Sequence, residues 1–337
     1  MPNVPEVTPV PTSQPFPTGE AEAENTLAGI GEFGLIGRLT QGRSPTRGTL
    51  LGPGDDAAVV AAPDGRVVAC TDVLVAGVHF RLDWSGPEQI GRKAAAANLA
   101  DVAAMGAVPT GLLVGLACPP DMPVETLSGL TDGLWAEAQS VGAGVIGGDV
   151  TSSPTLVVAV TALGDLEGRE AVTRAGARPG DTVALAGRVG WAAAGWAVLA
   201  RGFRSPVAVV SAHRVPEPPY ASGPQAAAAG ATAMIDVSDG LLADLGHVAR
   251  ASGVRIDVRT AALAVPARLV DVGAALGVDP MHWLLTGGED HALAATFPGE
   301  PPEGWITIGT VAEGEPEVLV DGRVYDGGPG GWDHFAR

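Results

Sequence analysis

Short apolar runs alternate along the chain with segments rich in glycine and proline. The runs bounded by such turns predict strands at residues 57–61, 67–74, 111–118, 144–146, 156–163, 183–186, 256–258 and 292–296. Longer alanine-rich or amphipathic runs predict helices at residues 32–39, 88–105, 124–141, 191–200 and 241–251. Because helices and strands do not alternate strictly, we expect an α+β fold with mixed, partly antiparallel sheets instead of a doubly wound fold.

Two segments interrupt this pattern. Residues 1–28 are rich in Pro, Glu and Thr without any hydrophobic period, which predicts a disordered tail; a specific docking arm is the alternative. The turn-rich stretch at 167–180 predicts a boundary between an N-terminal domain at 29–165 and a C-terminal domain at 166–337. The chain of 337 residues is long enough for two such domains.

The composition narrows the class of protein. A formal net charge of −18 disfavours nucleic acid as a partner, and no apolar run reaches the length of about 20 residues that a membrane helix needs. The N-terminus shows no signal-peptide pattern, so we expect a cytoplasmic protein. Cys70 and Cys118 have no second thiol at metal-ligand spacing, and the scattered histidines do not indicate a zinc site.

Lysine is nearly absent, since Lys93 is the only one in the chain. Lys93 is preceded by arginine and followed by alanine, so the sequence lacks the Gly-Lys-Ser/Thr of a P-loop. Residues 29–34 match the dinucleotide spacing GxGxxG, but they follow a polar tail instead of a strand, and we interpret the match as chance. The His-Arg-Asp loop of protein kinases is also missing from the sequence.

Aspartates occupy the ends of apolar segments, often beside glycine. The residues in such positions are Asp55, Asp56, Asp72, Asp149, Asp236 and Asp239. Asn98 and Asp101 lie one turn apart in the alanine-rich helix and share a face. A single Asp-Gly is typical of a turn, but several together favour Mg²⁺, which bridges carboxylates to phosphate oxygens. The segment 238–240 begins a helix, so it is either an ordinary cap or a phosphate site.

Eight short motifs occur in an order that resembles the thiamine-monophosphate kinase family. They are Gly31-Glu32-Phe33, Gly54-Asp55-Asp56, TDVLVAGVHF at 71–80, NLADVAAMGA at 98–107, Gly147-Gly148-Asp149, DVSDGL at 236–241, Gly287-Gly288-Glu289-Asp290 and GWDHF at 331–335. The resemblance covers the chain from residue 29 to the C-terminus. It implies a two-domain α/β fold of the aminoimidazole ribonucleotide synthetase type and a homodimer formed mainly by the N-terminal domains.

The resemblance also implies an activity, the transfer of a phosphoryl group from ATP to thiamine monophosphate in the last step of thiamine diphosphate biosynthesis. It implies several Mg²⁺ ions, whose ligands by position are Asp56, Thr71, Asp72, Asp101, Asp149, Asp236 and Asp239. Of these, the expected catalytic residues are Asp72, Asp101 and Asp149. The implied ATP contacts are Gly148, Asp149, Arg174 and Ser238, and the implied contacts to thiamine monophosphate are His79, Glu289 and Trp332.

Two positions depart from the family pattern. Cys70 stands where Ser or Thr is frequent, so any metal contact there would come from the main chain. His291 stands where tyrosine is common, and we expect it to alter the shape of the pocket edge without changing the reaction.

Two other interpretations stay open. One is a relative of the same superfamily that acts on another small substrate, although the segment before Gly52 lacks the lysine-bearing glycine loop of the synthetases. The other is a catalytically silent homologue that retains only the cation sites.

Overall fold

The structure of the chain is a computed structural model that describes residues 25–43, 46, 48–53, 57–328 and 330–331. Most of the predicted tail therefore lies outside the described residues. The first described helix begins at Leu27, five residues before the start that the sequence pattern predicts. No helix among the described residues is long and apolar enough to cross a membrane.

The N-terminal half is built around a four-stranded sheet in the order β3-β6-β4-β5. Its strands are β3 (Val68–Val75), β4 (Val108–Cys118), β5 (Val145–Ser152) and β6 (Val157–Asp165), and its helices are α1 (Leu27–Thr40), α2 (Pro87–Ala104) and α3 (Val124–Ser140). β4 and β5 are parallel, whereas the other two pairs are antiparallel. A separate antiparallel ribbon is formed by β1 (Thr49–Leu51) and β2 (Val59–Val60).

The C-terminal half is built around a seven-stranded sheet in the order β13-β12-β9-β11-β7-β10-β8. Its strands are β7 (Thr182–Ala186), β8 (Ala233–Val237), β9 (Arg255–Val258), β10 (Ala292–Phe297), β11 (Ile306–Ala312), β12 (Val318–Val320) and β13 (Arg323–Val324). Its helices are α4 (Trp191–Ala200), α5 (Val207–Arg214), α6 (Ser222–Ala228), α7 (Leu241–Ser252), α8 (Ala267–Leu276) and α9 (Pro280–Thr286). Only the β9–β12 pair is parallel, so both main sheets are mixed, as the sequence predicts.

Helix α2 is buried along nearly its whole length and organises the molecule. It packs closely on α3, because a Cβ at Gly91 would collide with the main chain of Leu130 and one at Gly133 with that of Glu88. Small residues at these crossings let the two helix backbones approach each other. The C-terminal end of α2 contacts the second half of the chain, where Ala103 and Ala104 share an apolar cluster with residues of β7, β8 and β10. Side chains on α2 are therefore placed at the junction of the two sheets.

Candidate active site

The face of α2 that Asn98 and Asp101 share is turned toward β3. Asn98 is fully buried, and its Oδ1 accepts a hydrogen bond of 3.1 Å from the main-chain N–H of Asp72. The thiol of Cys70 donates to the main-chain carbonyl of Asn98 at 3.3 Å. Asn98 thus fixes the register between helix and strand, and the carboxylates of Asp72 and Asp101 lie near each other.

A third carboxylate, that of Asp236 on β8, joins this pair from the C-terminal half. Burial, followed by the charges of Asp236 and Asp72, raises the pKa of Asp101 to about 7, and nearby His291 opposes this shift. Burial also raises the pKa of Asp72, with His291 opposing and Asp236 adding to the shift. Asp236 therefore makes ionisation of both Asp72 and Asp101 more costly, and Asp72 adds to the cost for Asp101. We call Asp72, Asp101 and Asp236 the carboxylate cluster.

His291 is the imidazole partner of the carboxylate cluster. Its Nδ1 lies 3.0 Å from Oδ2 of Asp236, and both side chains are buried. Burial lowers the pKa of His291, but the hydrogen bond to Asp236 and the charges of Asp236 and Asp101 outweigh it, so the pKa is raised. We predicted from the sequence only that His291 alters the shape of the pocket edge. In the structure its side chain also pairs with Asp236, a predicted metal ligand.

The segment 288–291 sends three consecutive side chains to three different partners. Glu289 reaches Lys93 on α2, Asp290 accepts from the N–H of Ala192 at the start of α4, and His291 reaches Asp236. Glu289 and His291 both have left-handed backbones, with φ of 66° and 53°. Non-glycine residues adopt this conformation at a cost, and functional sites are where such strain is retained.

The segment 238–240 precedes α7, as predicted, but its amides are already used. Oδ2 of Asp244 accepts hydrogen bonds of 3.0 Å from the N–H groups of both Asp239 and Gly240. Burial, then the charges of Asp236 and Asp239, raises the pKa of Asp244 to about 7. The amide of Ala243 donates to the carbonyl of Gly330. The N–H groups of Asp239, Gly240 and Ala243 are therefore not available to a phosphate, which at this turn would contact Ser238 and Asp239 by other groups.

Asp149 is placed away from the carboxylate cluster within one chain. It lies on the edge strand β5, opposite Gly115 of β4. Across the rest of the sheet, Gly115 lies opposite Ala159 of β6, and Ala159 lies opposite Val73 of β3. Three strand spacings separate Asp149 from Val73, a distance of about 14 Å. Directly opposite residues point to the same side of a sheet, so Asp149 shares the face of Val73, turned away from α2.

Thr71 shares that outer face, because alternation along β3 sends it and Asp72 to opposite sides. Its hydroxyl donates to the carbonyl of Val160 and accepts from the hydroxyl of Thr161, both at 3.0 Å. The structure therefore separates the side chain of Thr71 from the carboxylate cluster. A metal contact of Thr71 with the cluster would require its main chain.

The remaining predicted contacts, His79, Gly148 and Arg174, lie in different parts of the fold. Nδ1 of His79 accepts from the N–H of Val75 at 3.0 Å, so neutral His79 carries its proton on Nε2. Gly148 precedes Asp149 on β5, where a Cβ would collide with the main chain of Val114. Arg174 is exposed and lies beside the end of α7, since its main-chain carbonyl accepts a hydrogen bond of 3.0 Å from the hydroxyl of Ser252.

Two predicted site residues, Asp56 and Trp332, lie outside the described residues, as does Asp55. Within the part of the chain that the structure describes, no three His, Cys, Asp or Glu side chains are close enough together to hold a metal ion by themselves. The carboxylate cluster alone is therefore not a closed metal site, and a cation there needs further oxygen ligands.

Three residues with defined contacts in this region were not predicted. Lys93 and His213 approach Glu289 from α2 and α5, and Asp244 holds the turn before α7. The rarity of lysine was a signal for Lys93, but the sequence does not indicate which residue it contacts. Asp244 lies outside any capping-box spacing, so sequence reasoning had no basis for choosing it.

Comparison with known proteins gives a consistent result. The domain family described as "AIR synthase related protein, N-terminal domain" matches residues 54–166. A thiamine-monophosphate kinase of Mycobacterium tuberculosis is 53% identical over 313 residues, which cover 93% of this chain and 94% of the relative. The chain belongs to the thiamine-monophosphate kinase family. The family and enzyme class that the sequence motifs predict are thereby confirmed.

Solved structures of thiamine-monophosphate kinases share the fold. The enzyme from Stenotrophomonas maltophilia K279a superposes with a TM-score of 0.73 at 31% identity, covering 86% of this chain and 95% of that one. AaThiL complexed with AMPPCP and TMP superposes with a TM-score of 0.76 at 33% identity, covering 91% and 97%. The predicted fold class is confirmed by these similarities together with the mixed sheets.

Proposed function

We propose that this chain transfers the γ-phosphoryl group of ATP to the phosphate of thiamine monophosphate, which yields thiamine diphosphate and ADP. The observation that carries the proposal is the carboxylate cluster at the junction of the two sheets, in a chain of the thiamine-monophosphate kinase family. The similarity to AaThiL complexed with AMPPCP and TMP supports ATP and thiamine monophosphate as the two substrates.

The carboxylate cluster fits Mg²⁺. Asp72, Asp101 and Asp236 are hard oxygen donors. Burial and the charge of Asp236 raise the pKa of both Asp72 and Asp101, and a cation would relieve both effects. Mg²⁺ usually takes one or two carboxylates and completes its shell with water and phosphate oxygens, so an open cluster suits it. The further ligands that we propose are Asp56, Thr71, Asp149 and Asp239. Bound Mg²⁺ would offset the charge of the phosphate chains and orient them.

The chain's own residues have simpler tasks in this proposal. The phosphate of the acceptor has a second pKa near ~6, so it is largely a dianion at neutral pH and needs no general base. We propose that His79 contacts the acceptor and that Ser238 and Arg174 contact ATP from the α7 side. We infer a direct in-line transfer without a phosphoenzyme, because the acceptor is itself the nucleophile.

We further propose a homodimer formed through the outer face of the four-stranded sheet. That face exposes apolar side chains, with Val73 at 49% and Leu113 at 37% of their accessible surface. An apolar sheet face of this kind is usually covered by a partner. Thr71 and Asp149 share the face, so a partner subunit would complete the surroundings of both predicted ligands. The free thiols of Cys70 and Cys118 suit the reducing cytoplasm, where we expect the enzyme to work.

A steady-state assay of ADP release tests the proposal. We expect release that requires both thiamine monophosphate and Mg²⁺, with thiamine diphosphate formed in equal amount. Turnover with another phosphate acceptor alone would favour a superfamily relative with a different substrate. Mg²⁺-dependent thermal stabilisation without any turnover would favour the silent metal-binding homologue. A stoichiometric radiolabelled enzyme formed from labelled ATP alone would exclude direct transfer.

A further inference from the structure

Lys93, the only lysine of the chain, is buried where α2 meets the C-terminal half. Its Nζ donates to Oε2 of Glu289 at 3.0 Å and to the main-chain carbonyl of His213 at 3.3 Å. Only 6% of the Lys93 side chain is accessible, compared with 38% of the Glu289 side chain. The ammonium group is thus enclosed by protein, whereas the carboxylate it holds is partly open.

The two oxygens of Glu289 have different surroundings. Oε2 lies 3.0 Å from Nζ of Lys93 and 3.3 Å from Nδ1 of His213. Among the described residues, Oε1 has no hydrogen-bond partner. The backbone is fixed as well, since the N–H of Glu289 donates to the carbonyl of Ser238 at 2.7 Å and φ is 66°. One oxygen is therefore anchored by the protein, and the other is available to a ligand.

The charges of this group cancel. Burial opposes ionisation of Glu289, but Lys93 and His213 outweigh it and lower the pKa of the carboxyl well below its usual range, so it is ionised. Burial and the charge of Lys93 lower the pKa of His213, so the imidazole is neutral at neutral pH. Lys93 and Glu289 then form a pair with no net charge. Such a pair attracts a cation weakly, but its open oxygen remains a strong hydrogen-bond acceptor.

We propose that Lys93 is a positioning residue that anchors Glu289 through Oε2, so that Oε1 accepts a hydrogen bond from the amino group on the pyrimidine ring of the acceptor. This inference rests on the proposed function, and it divides the acceptor between two sites. The neutral aminopyrimidine ring offers N–H donors, which match Oε1 of Glu289. The thiazolium cation is attracted only weakly by the Lys93–Glu289 pair, because the charges of that pair cancel. Other side chains must therefore bind the thiazolium ring.

The test compares two acceptors, thiamine monophosphate and the analogue whose pyrimidine carries an oxo group in place of the amino group. The analogue places an acceptor against Oε1, so wild-type enzyme should prefer thiamine monophosphate by at least about tenfold in kcat/KM. Lys93→Met keeps the length of the side chain and removes the anchor. We expect its KM for thiamine monophosphate to rise about tenfold with little change in kcat, and its preference to fall toward unity.

Glu289→Gln gives a sharper result, because Lys93 can hydrogen-bond only to the amide oxygen. The amide NH₂ then takes the place of Oε1 and donates, so the preference should reverse in favour of the oxo analogue. In the double variant Lys93→Met/Glu289→Gln nothing fixes the amide, and the reversal should be lost. Tyr220→Phe is the matched control, since it removes another hydrogen bond of 2.8 Å between the two halves, to Glu137, and should leave the preference unchanged.

The outcomes separate the inference from the function. Wild-type enzyme that uses both acceptors equally, or Lys93→Met with the wild-type preference, would overturn the inference while phosphorylation of thiamine monophosphate stands. Wild-type enzyme that does not phosphorylate thiamine monophosphate would overturn the proposed function itself. Thermal melting checks that each variant is folded. If Lys93→Met does not fold, the Glu289→Gln variant tests the inference alone: preference for the oxo analogue supports it, and preference for thiamine monophosphate overturns it.

Discussion

His291 and Asp236 form a buried pair across the β8–β10 edge, with Nδ1 and Oδ2 3.0 Å apart. We expect His291→Asn to lower kcat and to reduce the free energy of unfolding by about 1–3 kcal/mol, because Asp236 loses the buried imidazole that the fold places against it. Asparagine tolerates the left-handed backbone at this position and can place its amide nitrogen about where Nδ1 lies, so the substitution removes the titratable ring and leaves only a neutral donor. Urea unfolding and steady-state kinetics measure the two effects.

His282→Asn is the control for that variant. His282 on α9 lies 2.9 Å from the hydroxyl of Tyr325 and is outside the carboxylate cluster. We expect a similar loss of stability with activity retained. If both variants keep wild-type kcat, His291 does not influence Asp236 during turnover.

Gly288 lies against the 238–240 turn so closely that no side chain fits. A Cβ there would collide with the carbonyl oxygen of Ser238 and the main chain of Asp239. Gly288→Ala should therefore destabilise the fold by about 1–3 kcal/mol and separate Glu289 from its anchor. Gly299→Ala is the matched control, because a Cβ at Gly299 meets no atom within 4 Å. Equal melting temperatures for the two variants would contradict this assignment.

The sequence was most informative where the period of a single helix or strand decides which side chains share a face. Asn98 and Asp101 share a face of α2 because they are one turn apart, and in the structure this face meets β3. The same reasoning, with period two, separates Thr71 from Asp72 on β3. The resemblance joins these two residues as metal ligands, but alternation along the strand places their side chains on opposite faces.

Non-local features could not be predicted in this way. The distance of Asp149 from the carboxylate cluster depends on the strand order β3-β6-β4-β5, which no local pattern encodes. The contact of Lys93 with Glu289 joins residues from opposite halves of the chain. Helices α5, α6, α8 and α9 and strands β1, β8 and β11 to β13 were also missed, because most of them are short and their apolar periods are brief.

Asp290 should make stability depend on pH. Burial raises its pKa to about 7, against the opposing effect of the Ala192 amide and Arg188. Between the unfolded pKa of 3.8 and about 7 the folded chain retains a proton that the unfolded chain has released, so stability falls as pH rises. Asp290→Asn lacks this titration. The unfolding free energy of wild type minus that of Asp290→Asn should therefore decrease from about pH 4 to about pH 8 in urea titrations.

The proposed dimer predicts a strong effect of charge on the outer face of the four-stranded sheet. Leu113→Glu places a carboxylate on that face in both subunits, and like charges across an interface cost several kcal/mol, so the dimer should dissociate at least about 100-fold more readily. Val324→Glu introduces the same charge at an apolar residue that is 71% exposed on β13 and should leave the dimer intact. Sedimentation velocity measures both. A wild-type chain that sediments as a monomer would contradict the proposed dimer.

Asp72→Asn and Asp101→Asn test whether the carboxylate cluster serves catalysis or the fold. Burial and the charge of Asp236 raise the pKa of both Asp72 and Asp101, so ionising either one is costly, and removing one of these charges should leave the Mg²⁺-free protein equally stable or more stable. The same change should lower kcat at least about 100-fold and reduce the rise in melting temperature that Mg²⁺ produces in the wild type. A structural role predicts the opposite, lower stability with little effect on Mg²⁺. Asp271→Asn, which alters an exposed carboxylate on α8, should change none of these quantities. If both cluster variants keep near-wild-type kcat at saturating Mg²⁺, the proposed metal sites are wrong.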